Sequence, residues 1–421
     1  MHSFDVSSIL FFIFSAAGLS SAKNLSYSLQ DNYKPADFLG SKFNFFSAPD
    51  PTNGFVEYVN AASAKEKGLA KVLDGSLFLG VDNTTKQPAK GRPAVRLEST
   101  KKYNQGLFIA DIEHMPGGSC GVWPALWTFG PDWPNSGEID IVEGANLDTT
   151  NSMTLHTSAG CVMSSGALSA TSTLASTDCN LNNAKNGCSI KAADTDSFGA
   201  GFNSKKGGMY AMEWTTTDIK VWHFARNEIP SNMKSSQPDP SKWGLPSASF
   251  TGPNCDIEKH FKDHSIIINT TFCGDLVDAV WNESACAAKA PTCQEYVTNN
   301  PQDFQQSHWL INNIKVFQAS NSGSIPAKKI PVEEEPEEEE PEEKAPVEKA
   351  PVEKAPVEKA PVEKAPVEKA PVEKAPVEKA PVEKTIPPLN KENPFSNPFG
   401  GSRGRAKGRV ENEEEEEEEE D

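Results

Sequence analysis

The amino-acid sequence predicts an all-β fold, a sandwich or barrel of many short strands, followed by a disordered C-terminal tail. Three observations carry this. Ten short runs rich in branched and aromatic residues are punctuated by Gly, Pro and Asn. Helix is credible in one stretch, Asp275 to Lys289, and the composition changes sharply near Ser320.

The chain of 421 residues begins with a short apolar run, Ile9 to Leu19, followed by Ser20-Ser21-Ala22, a small-x-small pattern. This reads as a secretory signal peptide, residues 1–22, cut after Ala22. Its leading residues are atypical, with His2 and Asp5 but neither Lys nor Arg. A transmembrane helix needs about 20 apolar residues, so no membrane-spanning segment is expected. Sequons at Asn24, Asn83, Asn269 and Asn282 are compatible with secretion.

Residues 23–320 form the body, which holds all eight cysteines and all eight tryptophans. Its size suits one large domain. The predicted strands are Phe55 to Val59, Leu77 to Val81, Ala94 to Glu98, Gly106 to His114, Glu138 to Glu143, Ser152 to Thr157, Gly208 to Thr215, Asp218 to Phe224, Ser265 to Phe272 and Trp309 to Phe317. An even set of cysteines suits an oxidising compartment and up to four disulfides, with 105 connectivities open. Short spacings make Cys179 with Cys188 and Cys286 with Cys293 reasonable local loops, leaving Cys120, Cys161, Cys255 and Cys273 for longer bridges. No tight Cys-x-x-Cys pair or His spacing suggests a metal site.

Residues 321–421 cannot build a core. They contain eight copies of Ala-Pro-Val-Glu-Lys over 345–384 and end in eight Glu and an Asp. A proline at every fifth position excludes continuous helix, so an extended, partly polyproline-like tail is expected. Of the net charge of −19, the tail carries −12, from 16 basic and 28 acidic residues. Residues 1–320 are then mildly acidic, at −7, and show no basic footprint for nucleic acid. The short run Arg403, Arg405, Lys407 and Arg409 resembles a nuclear address, but the signal peptide contradicts it. The acidic C-terminus is unlike a lipid-anchor signal. A solvated spacer is the plain reading of the tail, and electrostatic engagement of cationic wall polymers or proteins is a sharper one.

The chemistry is carried by Gly137-Glu138-Ile139-Asp140-Ile141-Val142-Glu143-Gly144. On a strand Glu138 and Asp140 share one face, while Ile139 and Ile141 point into packed protein. Glu143 has the wrong parity. A β-bulge around Ile141 and Val142 returns it to the face of the other two acids. The alternative, an edge strand pointing acids at water, sits poorly with its surroundings. Trp123, Trp127 and Trp133 closely precede the acids, and Trp133, flanked by Asp132, Pro134 and Asn135, should be partly exposed. An indole face beside carboxylates suits a sugar ring, which has apolar C–H faces and polar edges.

The order Gly91-Arg92, Val95-Arg96, His114-Met115-Pro116, Cys120-Gly-Val-Trp-Pro-Ala-Leu-Trp, Trp133-Pro, Gly137-Glu-Ile-Asp-Ile-Val-Glu-Gly, Thr154-Leu-His-Thr and Cys273-Gly-Asp resembles the laminarinase-type branch of glycoside hydrolase family 16, particularly its secreted fungal β-glucanases. The similarity covers nearly all of residues 30–318 and none of the tail. It implies a β-jelly-roll sandwich, concanavalin A-like, with a concave substrate cleft. It also implies retaining hydrolysis of internal β-1,3 or mixed β-1,3/1,4 glucan bonds.

By the same resemblance Glu138 is the nucleophile and Glu143 the acid/base. Chemistry agrees, since retention needs two carboxyls about 5 to 5.5 Å apart, one ionised and one protonated. Crowding with like charge keeps a proton on Glu143, and Asp140 orients Glu138. His156 borders the acids on the family pattern. Trp133 is the expected glycone platform, with Trp281 a further subsite candidate. Trp123 and Trp127 are divided between cleft wall and core, and Arg96 either reaches the cleft floor or serves a structural ion pair. No cofactor is required, and the family's structural calcium is not supported by any compact calcium loop here. A secreted monomer acting on β-glucan, in the medium or at the cell wall, is expected. A transglycosylase and a non-catalytic β-glucan-binding protein are the rival readings. Retention of all three acids counts against the second.

Overall fold

Cross-strand register decides which face each side chain takes. In the computed structural model, Ile139 stands opposite Leu155 on one side and Thr128 on the other, while Leu126 stands opposite Ile268. The four apolar residues turn inward into one core, and Thr128 is buried on the same face. Their sequence neighbours must therefore face the other way.

The structure describes residues 25–166, 172–182 and 187–320. They lie in the first of two units into which the chain divides, residues 1–332 and 333–421. The signal-peptide and tail expectations fall outside the described residues.

An eight-stranded antiparallel sheet runs, in spatial order, Ser172–Ser176, Cys188–Ala192, Ser152–His156, Glu138–Glu143, Val122–Phe129, Ser265–Phe272, Arg96–Ser99 and Phe43–Phe45. The second sheet has nine strands. Its spine is Ser164–Ser165, Ala248–Thr251, Asp218–Ala225, Gly208–Trp214, Gly106–His114, Trp309–Ser320, Ser76–Leu79 and Ala70–Leu73, with Ser26–Tyr33 also pairing Trp309–Ser320. Leu97, Leu126, Leu155 and Ile266 of the first sheet meet Phe108, Met212, Trp214 and Val316 of the second. Each fully buried side chain of this kind contributes about 1.5–3 kcal/mol. Two antiparallel sheets closing on one core give the jelly-roll sandwich.

The outward face of the larger sheet, including Leu107, Ile109 and Trp222, is covered by Met233 and Trp243. A second apolar cluster lies beneath the segment 274–304, where Val277, Trp281, Tyr296 and Phe304 pack on Val122 and Phe272.

Most predicted strands form within a residue or two of their expected ends. Trp309 to Phe317 runs three residues further, to Ser320, and Ala94 to Glu98 does not form one strand. Arg92–Ala94 pairs in parallel with Val56–Tyr58, whereas Arg96–Ser99 enters the eight-stranded sheet, so the run divides at Val95. The strand Val122–Phe129 is not among the predicted runs, and its Pro124, which has no N–H to donate to a ladder, is unusual in a central strand. It is tolerated where the neighbouring strand ends, since Glu143, the last paired residue there, stands opposite Ala125. The predicted helix is broken into an α-helix, Gly274–Val280, and two 3₁₀ turns, Trp281–Glu283 and Ala285–Ala288.

The four disulfides are Cys120–Cys286, Cys161–Cys255, Cys179–Cys188 and Cys273–Cys293. The local loop at Cys179 and Cys188 is as expected, but Cys286 and Cys293 do not pair. Cys286 lies in a 3₁₀ turn and Cys293 opens the helix Cys293–Asn299, and both sulfurs turn inward to the second cluster. They tie the 274–304 segment to the sheet ends at Cys120 and Cys273. Among the described residues, no helix is long and apolar enough to cross a membrane. The Asn269 sequon is buried, and its amide is engaged by Trp127 and Tyr58.

Candidate active site

Because Ile139 and Leu155 face inward, Glu138, Asp140 and their partners His156 and Thr154 face outward. On the other flank Phe129 stands opposite Glu138 and Trp127 opposite Asp140. The register then shifts. Val142 pairs with Leu126 and Glu143 with Ala125, so Ile141 is the extra residue of a β-bulge. Ile139, Ile141 and Val142 are all buried, and Glu143 rejoins the face of Glu138 and Asp140.

Each terminal acid receives an indole N–H. Trp133 Nε1 donates to Glu138 Oε2 at 2.6 Å, and Trp123 Nε1 donates to Glu143 Oε1 at 2.9 Å. Trp133 is 47% exposed and lies in a loop, and its own peptide bond to Pro134 is cis. His156 Nε2 lies 3.3 Å from Asp140 Oδ2 and 3.9 Å from Glu138 Oε1. The Asp140 contact is close but not aligned as a hydrogen bond, and His156 Nδ1 is buried without a hydrogen-bond partner among the described residues. Ligand atoms of Glu138, Asp140 and His156 all lie within 4.8 Å of one another, a spacing within reach of a cation. Retaining glycoside cleavage requires instead a pair of carboxyls, and Glu138 and Glu143 stand on this same face.

Burial raises all three acids. It is the largest influence on Glu138, whose carboxyl is pushed up to about 8, with the charge of Asp140 next; His156, then the Trp133 N–H, oppose it. Asp140 is raised well above the usual range by burial and then by the charge of Glu143. Glu143 is raised by burial and, more weakly, by Asp148, against the opposing effects of His156 and Trp123. Ionising one acid therefore holds protons on the others, and the apparent titrations belong to the trio. The arrangement supplies both a carboxylate and a carboxylic acid on one surface.

The remaining candidates divide. Trp127 faces outward, donates to Asn269 Oδ1 at 2.8 Å and stacks on Phe129 at 5.2 Å. Arg96 also takes the outward face, yet it is buried. Its Nε and Nη2 lie 2.9 and 2.8 Å from Glu98 Oε1, and its guanidinium sits over Phe46, Trp127 and Phe129 at 4.5, 5.0 and 5.7 Å. It stiffens the aromatic floor through an ion pair and cation–π contacts. Trp281 is not part of this surface. It is 2% exposed, packs 6.0 Å from Tyr296 and donates its N–H to the Ala290 carbonyl. The turn after Gly274–Val280 aims it into the second cluster, so the subsite expectation is corrected.

Asn269 was missed in the sequence, where it reads only as a sequon. Its carboxamide links Trp127 to the Tyr58 hydroxyl, its Oδ1 accepting from the indole N–H and its Nδ2 donating to the hydroxyl oxygen at 2.9 Å. Phe46 and Phe129 likewise carried no local signal, because their role depends on Arg96 lying above them.

A jelly-roll sandwich whose outward sheet face carries a bulged triad of acids beside an exposed tryptophan defines a glycosidase-type site. A model of the XgeA-like catalytic domain of glycoside hydrolase family 16 matches residues 43–317, and the chain belongs to that family. It is 44% identical over 321 residues to a probable endo-1,3(4)-β-glucanase of Aspergillus fumigatus, covering 74% of this chain and 49% of that one. It is 42% identical over 316 residues to an endo-1,3(4)-β-glucanase of Arthroderma benhamiae, covering 74% and 69%. The chain thus spans about half the length of the Aspergillus relative. Among solved structures, laminarinase 16A of Phanerochaete chrysosporium, with glucans in donor and acceptor sites, matches with TM-score 0.66 and 40% identity over 70% of this chain and all of that one. An elongating family 16 β-1,3-glucosyltransferase matches with TM-score 0.65 and 42% identity over the same shares.

Proposed function

We propose that this chain is a secreted endo-β-glucanase that hydrolyses internal β-1,3 or mixed β-1,3/1,4 glucan bonds with retention. The observation that carries the reading is the bulge at Ile141, which sets Glu143 on one face with Glu138 and Asp140. Glu138 attacks the anomeric carbon while Glu143 gives its proton to the departing glycosidic oxygen, leaving a glycosyl ester on Glu138. Glu143 then takes a proton from water, which attacks the same carbon and frees Glu138. Asp140, between them and beside His156, shares the trio's protons and orients Glu138. Trp133 offers a partly exposed indole for the sugar ring next to the attacked carbon.

The disulfides support export, and action as a monomer on wall-derived glucan accords with this reading. A second reading, transfer to a sugar acceptor, is favoured by the likeness to the glucosyltransferase. It uses the same ester and differs only in what attacks it.

The test is incubation of wild type and Glu138→Gln with laminarin and with a cereal mixed-linkage β-glucan, with and without added laminari-oligosaccharides. Short products and new reducing ends from wild type alone are expected, and their relative yields rank the linkages. Lengthened products at constant reducing ends would favour transfer. Binding without any product would sink the enzymatic reading.

A further inference from the structure

We propose that Asn151 is a positioning residue for Glu143, its carboxamide clamping the β-bulge that turns this acid onto the outward face. The proposal rests on the reading of Glu143 as acid/base. A bulge disrupts the ladder and leaves backbone groups without regular partners. Here pairing to the strand Ser152–His156 jumps from Asp140 opposite Thr154 to Glu143 opposite Ser152. Asn151, immediately before that strand, fills the gap. Its Nδ2 donates to the Ile141 carbonyl at 2.8 Å, and its Oδ1 accepts the Glu143 N–H at 2.9 Å.

One planar group therefore satisfies both irregular backbone positions, and only an amide offers a donor and an acceptor in that arrangement. Asn151 is fully buried, so water cannot replace it. It is also held in place. Its own N–H donates to Ser197 Oγ at 3.0 Å, its carbonyl accepts the Ala192 N–H at 2.9 Å, and Ser197 Oγ donates to the Asp194 carbonyl at 2.5 Å. Without the bulge, alternation would put Glu143 on the Ile139 face inside the apolar core. The clamp thus fixes where the catalytic proton sits while touching no sugar.

The experiment compares two leaving groups. Cleavage of laminarin needs a proton from Glu143. With 2,4-dinitrophenyl β-laminaribioside the phenolate departs unprotonated as Glu138 bonds to the anomeric carbon, and added azide displaces the Glu138 carboxylate, giving the β-glycosyl azide. Neither step then needs Glu143. Asn151→Ala is expected to lower kcat on laminarin ~30- to 100-fold with KM within about twofold, and to return to within about threefold of wild type on the aryl substrate with azide. Asn151→Asp, which keeps the acceptor and loses the donor, should show a smaller loss and the same recovery. Glu143→Ala should show the same pattern more strongly, and its failure to recover would overturn the acid/base reading. Recovery of Glu143→Ala alongside equal losses for Asn151→Ala on both substrates would overturn the clamp. So would failure of both Asn151 variants to fold, judged by thermal unfolding, which would make the residue a determinant of the fold instead.

Discussion

Trp133 Nε1 donates a 2.6 Å hydrogen bond to Glu138 Oε2, so the most exposed indole beside the acids also grips the proposed nucleophile. This bond favours the charged carboxylate and opposes the burial that raises Glu138. Replacing Trp133 by Phe keeps an aromatic face and removes the donor. The acid limb of kcat/KM should move to higher pH, with a loss of about 10-fold, the scale of one hydrogen bond to a charged group. Trp133→Ala should in addition raise KM. An unmoved acid limb in the Phe variant would show that the bond does not act on the ionised form.

Asp140 acts on Glu138 in the opposite sense, its charge being the second influence that raises the Glu138 carboxyl towards 8. Asp140→Asn should therefore move the acid limb to lower pH while reducing turnover. Stability gives a separate readout. A carboxyl raised on folding keeps its proton in the native state after the unfolded chain has lost it, so stability falls as pH rises from the unfolded value near 4.5 to about 8. Below both values no such loss exists. The variant should gain ~1–3 kcal/mol over wild type at pH 8 and little at pH 4. Denaturant melts at the two pH values check this, and an equal gain at both would refute it.

The catalytic strand was legible because its signal is local. Parity alone made Glu143 the odd member, and a strand cannot return one side chain to a face without an extra residue, which is Ile141. Asn151 and Asn269 were not legible, since their meaning lies in backbone and side-chain groups brought near only by folding. The strand Val122–Phe129 went unread, and its Pro124 stands beyond the last pair with the catalytic strand while still facing Thr270 on the other flank. Cys286 and Cys293 are close in sequence, yet the 3₁₀ turn and helix carrying them turn both sulfurs towards Cys120 and Cys273. Trp281 and Trp133 both follow family-like motifs. What separates them is whether the indole N–H meets a carboxylate at the surface or a carbonyl within the second cluster.

That distinction is testable at Trp281. Removing a buried indole leaves a cavity, and Trp281→Ala should cost about 3–5 kcal/mol. Trp281→Phe should cost less and leave KM for laminarin unchanged, because no sugar touches the residue. A several-fold rise in KM for a fully folded Phe variant would restore Trp281 to the substrate surface.

The bridges that hold this segment should matter most for the unfolded chain. Cys120 and Cys286 are 166 residues apart, so their bond closes a very long loop. Cross-linking restricts the unfolded ensemble more as the loop lengthens, although the correlation is weakened by residual structure. The paired replacement Cys120→Ala with Cys286→Ala should cost ~3–5 kcal/mol, more than the pair Cys179→Ala with Cys188→Ala, whose loop spans a separation of only 9. The first pair sits under the segment 274–304 and beside the start of the strand bearing Trp123, which donates to Glu143. Its loss should therefore also lower kcat modestly at temperatures well below melting. Urea unfolding of the two double variants, with turnover measured on the folded fractions, separates the effects. Equal destabilisation by both pairs would show that loop length does not set the contribution of these bonds.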